Sequence, residues 1–276
     1  MRSNYYISIV LSLLFCFSLS CQTLKTSQPD LSENYLITGE FDQIKVDKLG
    51  FIYLLNDNNE LLKFDEDLNL KFKYSINSLG DLSTIDVSNP QKIILYFSDY
   101  QFVIFLDNTL SEIKRLNLES FGYWDIQCAA LSNDNLIWIF DPVNFRLIKI
   151  TGNGQLQLQS NELFFEDESF TTNKIFALEN NVYLFSSERI VLFDSFGQEL
   201  KTIILPNQQI QFLGDQFLVL NENKIFLKSF KVEFLEESNL PIYDFDKEKV
   251  VDFFYYKNSI FTLDGKGLKE ISVNQF

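Results

Sequence analysis

The sequence predicts an all-β protein, a six-bladed β-propeller in which each blade is a four-stranded antiparallel sheet. After residue 34, short runs of Ile, Val, Phe, Tyr and Leu are separated by Asn, Asp and Gly. No stretch there keeps the 3.6-residue apolar period of an amphipathic helix. The runs come in groups of four that repeat at intervals of 34 to 44 residues, which is typical of propeller blades.

The first group of strands is the clearest one. Tight turns rich in Asn, Asp and Gly separate its four apolar runs, so three hairpins in succession are expected. The predicted strands are residues 44–47, 51–55, 61–64 and 69–74.

The same pattern returns five times along the chain, and the fifth group is the shortest. The second strand recurs at residues 93–97, 136–140, 182–185, 217–220 and 260–263. The third strand ends at Phe64, Leu106, Ile150, Phe193, Leu227 and Ile271. Turn-forming residues follow it at 65–67, 107–108, 152–154 and 194–197.

The sixth group supplies only three strands, at residues 250–255, 260–263 and 268–273. An unassigned strand, residues 35–38, precedes the first group. Pairing this strand with the last blade would close the ring and cover an exposed sheet edge. Seven blades would leave about 35 residues each, fewer than most of the observed intervals.

The N-terminal segment reads as an export signal. Arg2 precedes an apolar run at residues 7–19, which is short for a membrane span and ends in Ser18-Leu19-Ser20-Cys21. Residues 22–33 are polar and contain Pro29, as expected of a tether. The predicted division is a signal at 1–20, a tether at 21–33 and a single propeller domain at 34–276.

Two resemblances follow from these residues. The repeat at 44–64 resembles those of six-bladed propellers of the NHL type and their bacterial lipoprotein relatives, although glycine is scarce here, with 10 in all. The end of the signal resembles the lipobox of bacterial lipoproteins, with Ser18 where that family usually has Leu. The resemblance implies that Cys21 is lipidated and becomes the mature N-terminus, in a protein anchored to the cell envelope, on the outer membrane.

Composition excludes several functions. The formal net charge is −15, which argues against a nucleic-acid partner and against electrostatic docking onto anionic lipid. The absence of histidine removes imidazole acids and bases and His-based metal sites. Cys128 is predicted to be a small buried core residue. No Gly-rich phosphate loop and no Cys or His metal spacing is present, so no cofactor is expected.

A polar ring is predicted at one mouth of the central channel. Aligning the six groups on their first hairpin gives one polar residue per inner strand, and the ring comprises Asp42, Ser83, Gln127, Lys174, Gln209 and Asp252. Two positions further along, Ile44, Ile85, Ala129, Phe176 and Phe254 are apolar and Gln211 is the exception. The ring is a candidate small-ligand site, and ordered water satisfying a polar channel mouth is the alternative.

The same end of the propeller is a candidate contact face, because aromatic and Arg side chains in loops are typical interface anchors. In such a chain, with 29 Phe, some exposed aromatic side chains are also expected without a function. Asp141, followed by Pro142, begins the most distinctive hairpin. The predicted anchors are Tyr100, Phe121, Tyr123, Trp124, Phe145, Arg146, Arg189 and Tyr243.

Three functions therefore remain open from the sequence. The leading one is a lipid-anchored, non-catalytic propeller that holds an envelope protein partner on this face. The second is a carboxylate-based hydrolase or lyase acting on sugars, with Asp42 and Asp252 as candidate carboxylates. The third is a small-molecule sensor that uses the channel mouth. The acidic clusters Glu166-Asp167-Glu168 and Asp244 with Asp246 lack the spaced loop of a calcium site and read as solvated loops.

Overall fold

Six four-stranded antiparallel sheets make up the part of the protein that the structure describes. The computed structural model describes residues 35–164, 171–205, 209–213, 216–229, 241–245 and 249–273. In five sheets the four strands follow one another along the chain, and in the sixth the N-terminal strand β1 (Ile37–Thr38) pairs with the C-terminal strands. The six-bladed propeller predicted from the sequence is therefore confirmed.

Each blade has an inner strand that faces the channel, followed outward by a second, a third and an outer strand. Blade 1 consists of β2 (Phe41–Val46), β3 (Ile52–Asn56), β4 (Glu60–Phe64) and β5 (Leu70–Ser75). Blade 2 consists of β6 (Thr84–Asp86), β7 (Ile93–Phe97), β8 (Phe102–Leu106) and β9 (Glu112–Asn117). Blade 3 consists of β10 (Ala129–Leu131), β11 (Ile137–Asp141), β12 (Arg146–Ile150) and β13 (Leu156–Gln159).

The second half of the ring is built in the same way. Blade 4 consists of β14 (Thr172–Leu178), β15 (Asn181–Ser186), β16 (Arg189–Asp194) and β17 (Glu199–Ile204). Blade 5 consists of β18 (Gln209–Leu213), β19 (Gln216–Asn221), β20 (Lys224–Ser229) and β21 (Tyr243–Asp244). Blade 6 consists of β22 (Asp252–Tyr256), β23 (Ser259–Asp264), β24 (Gly267–Ser272) and β1 (Ile37–Thr38). A 3₁₀ turn, Glu119–Phe121, follows β9.

Burial explains why the middle strands are continuous apolar runs. All five residues of β7 are buried, because both faces of a middle strand pack against neighbouring blades. Outer strands such as β5 are mostly exposed and carry charged residues. The described apolar side chains form six clusters, and each cluster joins two adjacent blades.

The turns between third and outer strands share one construction. A side-chain oxygen at the first position accepts hydrogen bonds from the backbone N–H groups two and four residues later, for example Asp107 from Thr109 and Ser111. Asp194 and Thr151 do the same in blades 4 and 3. The residue at the fourth position of these turns has a left-handed backbone conformation. It is Gly154 or Gly197 in two of the turns, and Leu68 or Leu110, with a φ angle of about 60°, in two others.

The ring closes through β1, as predicted. Ile37 and Thr38 pair with Leu268 and Gly267 of β24. The N–H groups of Leu36 and Gly39 extend this pairing to the carbonyl groups of Leu268 and Lys266, at 2.8 and 2.9 Å. The Tyr35 hydroxyl donates to Asp264 at 2.7 Å.

Several sequence predictions fall outside the described residues. They are the signal and the tether with Cys21, the cluster Glu166-Asp167-Glu168, and Asp246. Within the described ranges, no helix has the length and apolar character needed to cross a membrane. No group of three or more acidic or Cys residues there is arranged to hold a metal ion. Cys128 is fully buried, as the sequence predicts.

Candidate functional site

The central channel holds a cavity of about 750 Å³. Inner strands of blades 1, 2, 4, 5 and 6 line it, and the described part of blade 3 contributes only Asn133. Five of the six predicted ring residues lie on its wall: Asp42, Ser83, Lys174, Gln209 and Asp252. The cavity also reaches Asp47, Ser88 and Glu179 in or beside the first-hairpin turns at the opposite end of the inner strands.

The sixth ring residue is placed differently. Gln127 lies before β10, outside the cavity wall, and its side-chain amide donates to the carbonyl group of Asp125 at 3.0 Å. Of the predicted apolar level below the ring, Ile85, Phe176 and Phe254 line the cavity, as does the exception Gln211. Ile44 and Ala129 are instead fully buried between blades.

Side chains of the channel wall satisfy the inner edges of neighbouring blades. The innermost strand of a blade has backbone groups without a sheet partner, and such groups need another hydrogen-bond partner when buried. Asp252 accepts from the Ile44 N–H at 2.9 Å, and Asp86 accepts from the Leu131 N–H at 2.7 Å. The Gln211 amide both accepts from and donates to the Tyr255 backbone. These contacts join inner strands across three blade interfaces.

Two lysines bring positive charge into this channel. The Lys45 ammonium lies 3.6 Å from Asp252 and donates to the Ile44 carbonyl group at 3.1 Å. The Lys174 ammonium is 3.5 Å from the Ile210 carbonyl group, and no described carboxylate lies within 4 Å of it. Burial, together with the positive charge of Lys45, lowers the pKa of Lys174 to about 8, although Asp252 and Asp86 act in the opposite direction.

An aromatic wall lies beside these charges. The Phe176 and Phe212 rings, on the inner strands of blades 4 and 5, stack with centroids 4.8 Å apart and an interplanar angle of 12°. Tyr183 packs behind Phe212 at 4.2 Å. The channel therefore combines ammonium groups, amides and flat apolar surface, a composition typical of small-molecule sites.

We use the term loop face for the end of the propeller formed by the turns between second and third strands and by the connections between blades. Three predicted anchors on these segments around blade 2 are substantially exposed: Tyr100 (55%), Phe121 (48%) and Trp124 (54%). Val143 and Phe164 are exposed on the corresponding segments of blade 3. Large apolar side chains in water mark a surface suited to a partner.

The remaining predicted anchors have contacts within the fold. The Tyr123 hydroxyl donates to the Gly154 carbonyl group at 3.3 Å, in the outer turn of blade 3. Phe145 packs edge-on against Phe140 with ring centroids 6.4 Å apart, and Tyr243 lies 4.7 Å from Phe245. Arg189 is half-buried at the start of β16.

The hairpin that begins at Asp141 is held by its own side chains. Asp141 accepts from the N–H groups of Val143 and Asn144 and from the Asn144 amide, at 2.8 to 3.1 Å. The Arg146 guanidinium lies 3.9 Å from Glu162, and its Nε is buried with no hydrogen-bond partner among the described residues.

The sequence analysis did not identify a set of Asn and Gln residues that connect blades on the loop face. Asn59, Gln101 and Asn223 are the last residues of their second turns, and all three are left-handed. Gln101 holds both backbone groups of Ile126 at 3.0 Å, and Asn59 holds Leu82 and Gly80 at 3.0 and 3.1 Å. In the sequence, these residues could have been recognised as an Asn or Gln immediately before the third strand in three of the six repeats.

The comparisons with known proteins identify a shared fold. No protein-family model matches the chain, and no curated protein matches it. Among solved structures, the Pan2 WD40 domain of Neurospora crassa aligns with a TM-score of 0.58 and 10% identity, over 82% of this chain and 73% of that one. A catalytically inactive histidine-to-alanine variant of virginiamycin B lyase from Staphylococcus aureus, crystallised with quinupristin, gives 0.56 and 14%, over 84% and 80%.

A protein of unknown function from Bacteroides caccae is also similar, with a TM-score of 0.52 and 12% identity over 85% of this chain and 88% of that one. Identities this low show a common fold, and propellers host unrelated functions.

Proposed function

We propose that this protein is an exported, lipid-anchored propeller that holds an envelope protein partner on its loop face without catalysing a reaction. The observation that carries the proposal is the exposure of Tyr100 and Trp124, both more than half exposed on neighbouring segments of blade 2. In contrast, Trp138, the other Trp of the chain, is 1% exposed in the core. Tyr and Trp are the residues that most often dominate binding energy at protein interfaces.

The surroundings of these aromatic side chains fit a protein partner. The backbone beneath them is held by Gln101, which bonds both backbone groups of Ile126. A loop that is already held in place loses less conformational entropy when a partner binds. The nearby loop residues Asp99, Glu119 and Asp125 are acidic, so a partner with basic groups around an apolar centre would be complementary.

The anchoring half of the proposal rests on the N-terminal sequence. A short apolar segment that ends at Cys21 and is followed by a polar tether would fix the propeller to a membrane by lipid. A propeller held in this way is restricted to the membrane surface, where an envelope partner is concentrated.

Two observations weigh against the enzyme alternative. Among the candidate carboxylates, Asp252 already accepts from the backbone N–H groups of Ile44 and Phe253 and lies beside Lys45, so its oxygens are engaged in the fold. The virginiamycin B lyase in the comparison is inactive as a histidine-to-alanine variant, whereas this chain contains no histidine.

Partner capture from detergent-solubilised membranes tests the proposal. Trp124→Ala should reduce capture by more than tenfold, since losing an interface anchor costs about 2 kcal/mol or more. The melting temperature should stay unchanged, because exposed loop substitutions usually alter stability by less than about 0.5 kcal/mol. The matched control is Phe196→Ala, which removes an aromatic ring that is 76% exposed in an outer turn of blade 4. Equal capture by wild type and Trp124→Ala would reject this surface.

A further inference from the structure

The polar groups of the channel fall into two classes. The Asp86 and Asp252 carboxylates and the Gln211 amide are engaged in the fold: Asp86 accepts from Leu131 and Ser88, and Asp252 accepts from Ile44 and Phe253. Each of these groups satisfies backbone N–H groups that would otherwise lack a partner in the wall. They have little capacity left for a ligand.

Lys174 belongs to the second class. Its ammonium carries three donors, and among the described residues it makes one hydrogen bond, a long one of 3.5 Å to the Ile210 carbonyl group. The Lys45 side chain, which carries further donors, lines the same cavity from blade 1. Two ammonium groups with spare donors on the wall of one cavity favour an anion inside it.

Phe176, one ring of the aromatic wall, is two residues from Lys174 in the sequence. Lys174 and Phe176 lie on β14 two positions apart, so their side chains leave the same face of the strand about 7 Å from each other. Phe176 stacks on Phe212, and Phe254 of blade 6 lines the same cavity. An anion bound at the lysines would therefore place an attached ring or chain against these phenyl groups.

We propose that the channel binds a small organic monoanion, a carboxylate attached to a flat apolar body. Its carboxylate accepts hydrogen bonds from the Lys174 and Lys45 ammonium groups, and its body packs against the Phe176–Phe212 pair. The volume of about 750 Å³ is sufficient for such a molecule. One negative charge fits better than two, because the Asp252 and Asp86 carboxylates line the same cavity and Asp252 lies 3.6 Å from Lys45. This proposal does not depend on the partner site proposed around blade 2, since Lys174 lies on blade 4.

Isothermal titration calorimetry of the purified propeller at pH 7 tests the proposal with three probes that share one ring system and differ in charge. The probes are 2-naphthoate, the neutral 2-naphthamide and the cationic 2-naphthylmethylamine. We expect 2-naphthoate to bind at least tenfold more tightly than either of the others. Equal affinity for the acid and the amide, or no detectable binding of the acid, would overturn the proposal.

A lysine variant and a pH series then locate the site. Lys174→Met keeps the length of the side chain and should weaken 2-naphthoate binding at least tenfold, whereas Lys71→Met, on the outer strand of blade 1, should leave it unchanged. If both variants bind like the wild type, the site is not at Lys174.

The wild type provides a second measurement that needs no variant. Its affinity for 2-naphthoate should fall between pH 7 and pH 9.5, because Lys174 is charged below a pKa of about 8 and neutral above it. The other charged side chains on the wall are Asp42, Lys45, Asp47, Lys48, Asp86, Glu179 and Asp252. A flat pH profile would contradict the assignment to Lys174.

Discussion

At the residue scale, a few side chains provide the backbone hydrogen bonds that a neighbouring strand provides elsewhere in the sheets. The inner strands of a propeller leave backbone groups unpaired at the channel, and Asp86, Gln211 and Asp252 bond to them from the neighbouring blade. On the loop face, Asn59 and Gln101 bond to the connection that leads into the next blade. These polar contacts set how adjacent blades are positioned, while the apolar clusters supply most of the stabilisation.

Substitution of Asp252 tests whether these side-chain hydrogen bonds stabilise the fold. Asp252→Ala removes the acceptor of the Ile44 N–H and should lower the free energy of unfolding by about 1 to 3 kcal/mol, the cost of a buried unpaired donor. Urea denaturation measures it. Asp252→Asn keeps an oxygen acceptor and should cost less, and Asp42→Ala, at an exposed position of β2, should change stability by less than about 0.5 kcal/mol. Equal stability of all three variants would contradict this role.

At the element scale, closure depends on a short strand. β1 has two residues, yet it covers the edge of β24 and completes blade 6. Gly267 faces it closely: a Cβ added there would lie 2.2 Å from the Ile37 carbonyl oxygen. Glycine at this position is required by the approach of two backbones.

Two glycines of the same hairpin form a matched pair of tests. Gly267→Ala should push β1 away from β24 and lower the free energy of unfolding by about 1 to 3 kcal/mol, as is typical when a substitution overpacks a well-packed contact. Gly265→Ala meets no atom within 4 Å and should be close to neutral. Thermal unfolding of the two variants distinguishes these outcomes, and similar melting temperatures would show that the β1 contact does not hold the ring closed.

The sequence was sufficient to predict the elements but not all their contacts. Apolar runs and Asp or Gly turns located the blades, because both signals are local: Asp107 acts on residues two and four positions away. The placement of Gln127 outside the channel was not predictable, since β10 starts at Ala129 and its neighbours decide which positions face the cavity. The pairing of Gln211 with Tyr255 joins residues 44 positions apart, and only the folded ring brings them together.

At the scale of the whole molecule, the protein is a ring that carries two proposed binding regions, and a lipid anchor is proposed at its N-terminal side. The ring carries a channel with ammonium groups inside an acidic protein of net charge −15, and a loop face with exposed aromatic side chains on blade 2. The proposed lipid would hold the ring at a membrane without a membrane-spanning helix in the described residues.

Lipid attachment is testable by fractionation. Cys21→Ser should move the protein from the membrane fraction to the soluble fraction, because each buried methylene of an acyl chain contributes about 0.8 kcal/mol to membrane binding. Ser20→Ala keeps the cysteine and a small residue before it, and should remain in the membrane fraction. A wild-type protein released by osmotic shock alone would show that no lipid anchor is present.

Site-specific photo-crosslinking in intact cells tests whether the loop face around blade 2 holds a protein partner. A photoreactive benzoylphenylalanine is placed at position 124 and, in a separate variant, at position 196, both of which carry exposed aromatic side chains in the wild type. We predict one discrete crosslinked product from position 124 and none from position 196. The same product from both positions, or none from position 124 at wild-type expression, would contradict a partner site on this face.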